Sequence, residues 1–469
     1  MAEGDRSNSE SSRIDVPAIE PRNAPSEITN GETNRCKIFK VRDQTIHENS
    51  IDSFKPKILS IGPYHHGSSR LRGMETWKRD CRRYILGRIS ESDYNTVEIK
   101  ELVKKARSVY SENITMEPNK FADMLLLDGC FVLAFLTEIK GKSVENEPSE
   151  TGMIGGSQGT TSSDTTGHTG GGQWQDDRHQ DEAIIREDTV RDLLFLLDNQ
   201  IPFFVIEEIH KLAVGEGETT ETLKKNIAKY VEGVLHHYPK AIEIPAICSN
   251  DFHHLLHLCH MFFRPSQKPE KRNGNRAATN QAMWHRAMQY REAGVEFRVK
   301  DSSTPHSLLD VTFSNGTMEI PHLSIDGKTE SIFSNLLLFE QGCSHTGRYI
   351  NAYVAFMSQL LSDADDVKLL ARENIVQILN HEEEALNIFR RLNGLAIVDR
   401  CGKDYYLTST FQSVEAHYRC RFNWWMAWLK HNHLTNPCVA VAALLGLTAL
   451  LCTIIQQLLS ILAHFKVVH

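Results

Sequence analysis

The stretch "RDLLFLLDNQIPFFVIEEI", residues 191–209, decides the fold. It holds two dense apolar runs on either side of a polar step, Asp198-Asn199-Gln200, with a proline two residues later. Apolar residues at this density leave no polar face for a surface helix, so the pattern predicts helices buried in a core. Because proline breaks or kinks a helix when it lies in the helix interior, we expect Pro202 to start a second helix or to kink the first.

The same apolar density recurs in "FADMLLLDGCFVLAFLTEIK", residues 121–140, which predicts another core helix. Further amphipathic helices are predicted around Leu336, Val354, Leu369 and Leu386. One β element interrupts them, because Asn315-Gly316 separates two alternating apolar runs and both residues can adopt positive φ. "GVEFRVK", residues 294–300, is expected to add a third strand.

The predicted fold class is therefore mainly α (α+β). It consists of a large helical domain with a small antiparallel β-hairpin or sheet, plus one C-terminal transmembrane helix. The transmembrane helix is predicted from residues 438–455, "CVAVAALLGLTALLCTII", which carry no charge. Trp424, Trp425 and Trp428 precede it, and tryptophan favours the membrane interface.

The flanking charges give a prediction of location. Arginine and lysine are more numerous before the apolar segment than after it, so the large N-terminal part is expected on the cytoplasmic side. The prediction is a single-pass protein of the plasma membrane or an endomembrane, with membrane lipid as a partner of the C-terminal helix.

The predicted organisation has three parts. Residues 1–34 are polar and form a disordered tail, residues 35–435 form the helical domain, and residues 437–465 form the anchor. Within the domain, residues 141–182 are a Gly- and Ser-rich disordered insertion, and residues 264–281 form a basic loop.

Three apolar runs end in a single carboxylate, at Asp128, Asp198 and Glu340. Carboxylates in such settings are often partly buried and then need cationic or hydrogen-bonding partners. The segment around Lys78 offers such partners, so one hypothesis is that some of the acids pair with residues 60–83 and fix how the helices dock. The alternatives are three solvent-facing helix ends, or an acid pair that is catalytic.

Two groups of histidines are candidate sites. His65 and His66 follow the turn at Gly62-Pro63, and adjacent side chains point in different directions, which favours a scaffold role over a metal or catalytic one. A second group could bind zinc or copper, since helical spacing places its members on one face: His253, His257 and His260. The alternative is a core helix with histidines along its edge.

The composition of the sequence and its motifs exclude several classes of function. The net charge of −8 argues against nucleic acid as a partner. Ten cysteines occur without a C-x-x-C pair, which favours reduced, packed thiols. No nucleophile elbow, P-loop, H-E-x-x-H, EF-hand or dinucleotide motif occurs, so neither a cofactor nor an enzymatic activity is expected.

The ordered motifs "IGPYHHG", "METWKRDC", "LLLDGCF", "RDLLFLLDNQIPFFVIEEI" and "NLLLFEQ" resemble those of the plant DUF247 family, also called UPF0481. The structural-motif positions are Gly62, Pro63, His65, His66, Glu75, Lys78, Asp128, Asp198, Asn199, Gln200 and Glu340. The resemblance implies an α-rich, plant-specific protein that is typically membrane-anchored near its C-terminus and has no established enzymatic activity.

Three classes of function follow from these observations. The leading one is a membrane-anchored recognition or signalling protein with an unidentified protein partner. By analogy, some grass members of the family are similar to pollen-side determinants of self-incompatibility, so that role is one candidate. The alternatives are an uncharacterised enzyme with a carboxylate or histidine cluster, and a metal-binding regulator that uses histidines.

Overall fold

The computed structural model describes residues 36–42, 52–87, 96–137, 173–214, 219–240, 243–248, 252–266, 284–379, 381–398, 405–420, 445–446 and 448–457. Within these ranges, the part up to Arg419 contains fourteen α-helices and five short β-strands. The predicted helix-rich class with a small sheet is confirmed.

The helices are α1 (Glu75–Leu86), α2 (Thr96–Val109), α3 (Pro118–Leu136), α4 (Gln173–Leu194), α5 (Phe203–Val214), α6 (Thr220–Val234), α7 (Ile244–Cys248), α8 (Leu255–Phe262), α9 (Ala287–Glu292), α10 (Thr329–Gly342), α11 (Tyr349–Leu360), α12 (Ala364–Arg372), α13 (Glu382–Leu395) and α14 (Thr408–Arg419). The strands are β1 (Glu296–Val299), β2 (Thr312–Ser314), β3 (Thr317–Ile320), β4 (Leu323–Ile325) and β5 (Val376–Ile378).

Helix α3 is the central core helix. It begins where Glu117 accepts hydrogen bonds from the backbone N–H groups of Asn119 and Lys120, and Pro118 occupies the first helical position. Most of its remaining side chains are buried, and each buried Leu or Phe contributes about 1.5–3 kcal/mol. Gly129 allows close packing on α5, because a Cβ there would lie 2.4 Å from Cδ1 of Ile209.

The junction between α4 and α5 follows from its polar step. Helix α4 ends at Leu194, and α5 begins directly after Pro202, as predicted. The amide of Gln200 donates to the carbonyls of Leu193 (3.0 Å) and Leu196 (3.1 Å), so it satisfies acceptors that the end of the helix leaves open. The whole junction is buried.

The β structure differs from the predicted antiparallel sheet. β2 and β3 form the expected antiparallel hairpin, with φ of 51° at Asn315 and 82° at Gly316. The third strand, β1, pairs with β3 in parallel, so the sheet is mixed. A second, two-stranded parallel sheet joins β4 to β5.

Buried apolar residues form one contiguous cluster that extends from Cys36 to Val414. Helix α1 packs on α3, α3 on α5, and α11 on α13. Helices α10 and α11 are buried on nearly all sides. The cluster therefore ties the N-terminal segments to elements that are several hundred residues away.

The predicted C-terminal transmembrane helix is wrong. In the part of the chain that the structure describes, no helix is both long and apolar enough to cross a bilayer. The described part of the apolar segment, residues 445–446 and 448–457, is helical and exposed. The predictions of a single-pass membrane anchor and of a cytoplasmic N-terminal domain were inferred from that segment. The same finding overturns them.

Several of the predicted segments and residues lie wholly or partly outside the described residues. They include the tail at 1–34, most of the insertion at 141–182, most of the loop at 264–281, and Trp424, Trp425 and Trp428. Helix α4 begins at Gln173, within the C-terminal part of the predicted insertion.

Candidate functional site

The best-defined polar site joins α1 to α3. Asp128 and Lys78 are both about 1% exposed, and the Lys78 Nζ donates to Asp128 Oδ1 at 2.7 Å. Nζ also lies 3.1 Å from Glu75 Oε1 and donates to the Ser60 carbonyl. Burial lowers the pKa of Lys78, but the neighbouring carboxylates outweigh it and hold the pKa above its ordinary value. The lysine is therefore charged and fully paired.

The same carboxylate holds the turn at Gly62-Pro63. The backbone N–H of Gly62 donates to Asp128 Oδ2 at 2.8 Å. Gly62 has a φ of 77°, and a Cβ at this position would lie 2.5 Å from the Gln200 carbonyl oxygen. Only glycine fits such a conformation at such a close approach.

The residues that precede this turn, 52–62, form a segment that we call the strap. Asp192 Oδ2 accepts three strap N–H groups, from Lys57 (2.8 Å), Ile58 (2.9 Å) and Leu59 (3.0 Å). Asn199 Oδ1 accepts the N–H of Ile61 at 2.8 Å. Side chains from α4 and its junction thus take the place of a neighbouring strand.

Asp198 reaches the histidine pair. Its Oδ1 lies 2.9 Å from His65 Nε2, and its Oδ2 accepts the N–H of Val41 at 3.4 Å. The His65 side chain is 22% exposed, and His66 is exposed. The two adjacent histidines therefore do not converge on one point, and His65 helps to dock the turn on the α4–α5 junction.

Glu340 lies elsewhere, at the N-terminus of α11. Its carboxylate is buried and accepts the N–H groups of Ile350 (2.9 Å) and Asn351 (3.0 Å), where a helix favours negative charge. His260 Nε2 lies 2.9 Å from Glu340 Oε1. Of the three acids, Asp128 and Asp198 thus contact residues 60–83, whereas Glu340 does not.

The candidate metal site has a different membership from the one that helical spacing suggested. Because His260 contacts Glu340, it does not join His253 and His257. Cys36 does: its Sγ and one ring nitrogen of each histidine lie within 4.8 Å of one another. Burial and the coulombic effect of neighbouring histidines lower the pKa of His257 well below its ordinary value. The thiol of Cys343 and burial raise the pKa of Cys36.

Two functional residues were missed by sequence reasoning, for different reasons. Asp192 precedes the apolar run instead of ending it, and its signal is the "RD" pair that opens the run. Cys36 lies 217 residues from His253, and no spacing rule joins positions that far apart.

An exposed aromatic side chain lies on the outer face of α1. Trp77 is 44% exposed, and its ring contacts Phe131 and Phe135 edge-on, at 5.2 and 6.0 Å between centroids. Arg79 and Arg83 are exposed on the same helix. Arg83 pairs with Asp80 at 3.0 Å.

The fold and these contacts define the kind of protein that this chain is. It is a helical protein whose N-terminal strap and turn are held by buried acids from the centre of the chain. The sequence profile of the DUF247 family, described as plant protein of unknown function, matches residues 38–452. The chain belongs to this family, and the resemblance seen in its motifs is confirmed.

A curated relative supports the same assignment. UPF0481 protein At3g47200 of Arabidopsis thaliana is 25% identical over 460 residues, which cover 92% of this chain and 87% of the relative. No solved structure matches the chain.

Proposed function

We propose that this chain is a non-catalytic recognition protein that binds a protein partner through the outer face of α1. The observation that carries the proposal is Trp77, a large aromatic side chain that remains 44% exposed in a helix that is otherwise firmly docked. Tryptophan and arginine are enriched among the residues that dominate protein–protein binding energies. A single large exposed Trp fits that pattern.

The mounting of Trp77 supports this role. The next residue, Lys78, is buried and bound to Asp128, so α1 cannot roll on α3 without breaking an ion pair. The indole also rests against Phe131 and Phe135. A side chain held in this way loses little conformational entropy on binding, which favours affinity.

The exposed charges of this helical segment suggest the chemistry of the partner. Arg72, Arg79 and Arg83 are exposed on this segment, with Asp80 as the opposing charge. Arginine forms bidentate contacts with carboxylates, so a partner with acidic residues around an apolar pocket would complement the surface.

The buried acids support a scaffold role over a catalytic one. Asp128 and Glu340 each bind a charged or imidazole side chain and at least one backbone N–H group. Carboxylates that are hydrogen-bonded in this way hold segments of the chain in position. The absence of enzymatic activity stays a prediction, and so does the narrower role in pollen-side self-incompatibility.

The test compares Trp77→Ala with wild type. Full-length chains would be used to purify partners from plant tissue, and each partner would then be titrated as a purified protein by calorimetry. We expect affinity to fall about thirtyfold in Trp77→Ala, since truncating a dominant interface residue costs about 2 kcal/mol.

Leu379→Ala is the matched control. Leu379 is 59% exposed, more than Trp77, and it lies beside β5. This variant should bind the partner as wild type does. Equal binding by wild type, Trp77→Ala and Leu379→Ala would contradict the proposal.

A further inference from the structure

The strongest unassigned feature is the cluster of sulfur and nitrogen atoms between the start of the described chain and α8. Cys36 is 1% exposed and His257 is 3% exposed. Together with His253 they place three ligand atoms within 4.8 Å of one another. Cysteine and histidine are the residue types that structural zinc sites use as ligands.

A fourth side chain reaches the same thiol. His345 Nε2 lies 3.4 Å from Cys36 Sγ. In a tetrahedral zinc site, bonds of about 2.3 Å to sulfur and 2.0 Å to nitrogen give a sulfur–nitrogen separation of about 3.5 Å. His345 is exposed, so an ion could reach the cluster from this side.

A second observation points to a ligand independently of this clustering. Among the described residues, nothing forms a hydrogen bond with Nε2 of His257, although the ring is buried. A buried imidazole nitrogen without a partner is unfavourable unless something satisfies it. A cation among these residues would do so.

We infer that Cys36, His253 and His257 bind one Zn²⁺ ion, and that His345, which contacts the same thiol but lies outside this group of atoms, turns inward as the fourth ligand. Zinc fits better than magnesium or calcium, because thiolate and imidazole are softer ligands than those cations prefer. The thiol gives up its proton to the solvent when zinc binds, whereas each neutral imidazole binds without a net loss of a proton.

Zinc must displace existing contacts at this site. His253 Nδ1 accepts the N–H of Cys36 at 3.0 Å, and His257 Nδ1 accepts the N–H of His253 at 3.3 Å. A neutral ring that accepts at Nδ1 carries its proton on Nε2. Binding through Nε2 shifts that proton to Nδ1 and gives up these contacts, which the metal–ligand bonds outweigh.

A zinc ion at this site would have a structural effect that does not depend on the proposed protein partner. Cys36 lies at the N-terminal end of the described chain, His253 and His257 flank the start of α8, and His345 follows α10. One zinc ion would thus link three segments that are far apart in the sequence. It would stabilise the folded chain by mass action.

The experiment measures metal in the full-length chain, purified under reducing conditions without chelator. We expect about one zinc per chain by elemental analysis. Replacement of zinc by cobalt should give a thiolate-to-cobalt charge-transfer band, which reports sulfur ligation directly. The absence of both bound zinc and this band in the wild-type chain would overturn the inference.

Variants assign the ligands. Cys36→Ala and His257→Asn should each weaken zinc binding at least about tenfold, and Cys36→Ala should also lose the cobalt band. Cys130→Ala is the matched control, because Cys130 is an equally buried thiol on α3, outside the cluster. His260→Gln should keep its zinc, since His260 contacts Glu340 instead.

Two outcomes of the variant series would overturn the assignment. One is loss of zinc in folded His260→Gln with retention in Cys36→Ala, which would restore the ligand set suggested by helical spacing. The other is a Cys36–Cys343 disulfide in wild-type chain purified separately without reductant, detected by mass spectrometry, with no metal bound.

Discussion

Four buried acidic side chains share one arrangement at the scale of the residue. Asp128, Asp192, Asp198 and Glu340 are each at most 5% exposed, and each accepts at least one backbone N–H group from a neighbouring segment of the fold. A buried carboxylate without partners is costly, whereas one that accepts backbone N–H groups satisfies donors that the chain must otherwise leave open. These acids therefore determine where loops dock.

The Gly62 position should tolerate no side chain. We expect Gly62→Ala to lower the free energy of unfolding by about 2–4 kcal/mol, because positive φ costs about 1–2 kcal/mol and the added methyl group would lie against the Gln200 carbonyl. Denaturation in urea measures this. Gly67→Ala is the control: its φ is 79° but nothing lies within 4 Å, so only the strain should appear. Equal losses in the two variants would argue against the close contact.

The Lys78–Asp128 pair should show strong coupling. Lys78→Met leaves a buried carboxylate without its cation, and we expect a loss of about 3–5 kcal/mol. In the double variant with Asp128→Asn, the amide oxygen can still accept the N–H of Gly62 and no charge remains buried. The double variant should therefore be more stable than Lys78→Met alone. If denaturation shows that the two losses simply add, the pair is not coupled.

The strap is the unusual structure at the scale of the element. In its 57–59 part the N–H groups are bound by one carboxylate rather than by a helix or sheet. The backbone hydrogen bonds of residues 57–59 therefore depend on Asp192, which lies more than 130 residues away.

We expect Asp192→Ala to free the strap without unfolding α4. Amide hydrogen exchange at Lys57, Ile58 and Leu59 should accelerate at least about tenfold, since three hydrogen bonds to one acceptor are lost together. Asp188→Ala is the control, because Asp188 binds the Lys57 side chain at the surface. Its exchange pattern should match that of wild type. Unchanged protection in Asp192→Ala would show that packing alone holds the strap.

At the scale of the whole molecule, local sequence patterns predict individual helices and turns but not which strands become neighbours. Dense apolar runs predicted α3 and the buried α4–α5 junction correctly, because a core helix is encoded by its own residues. Asn315-Gly316 predicted the hairpin for the same reason. The parallel pairing of β1 with β3 was missed, since which strands become neighbours depends on the path of the chain between them.

The candidate site could be predicted only in part. The acids were visible as single charges that end apolar runs, but their partners were not, because Asp128 finds Gly62 and Lys78 through tertiary packing. Cys36 had no local signal at all. The apolar segment near the C-terminus suggested a membrane helix because its composition suits a bilayer, but among the described residues no helix is both long and apolar enough to cross one.

The strap has a consequence for synthesis on the ribosome. Residues 57–59 leave the exit tunnel about 130 residues before Asp192 does. At roughly 5–20 residues per second, translation leaves them without an acceptor for about 7–27 seconds. During that interval the nascent chain exposes apolar residues such as Phe54 and Leu59 that are later buried. The N-terminal part of this protein is thus translated first and docked late, so a chaperone that shields nascent chains would act on it there.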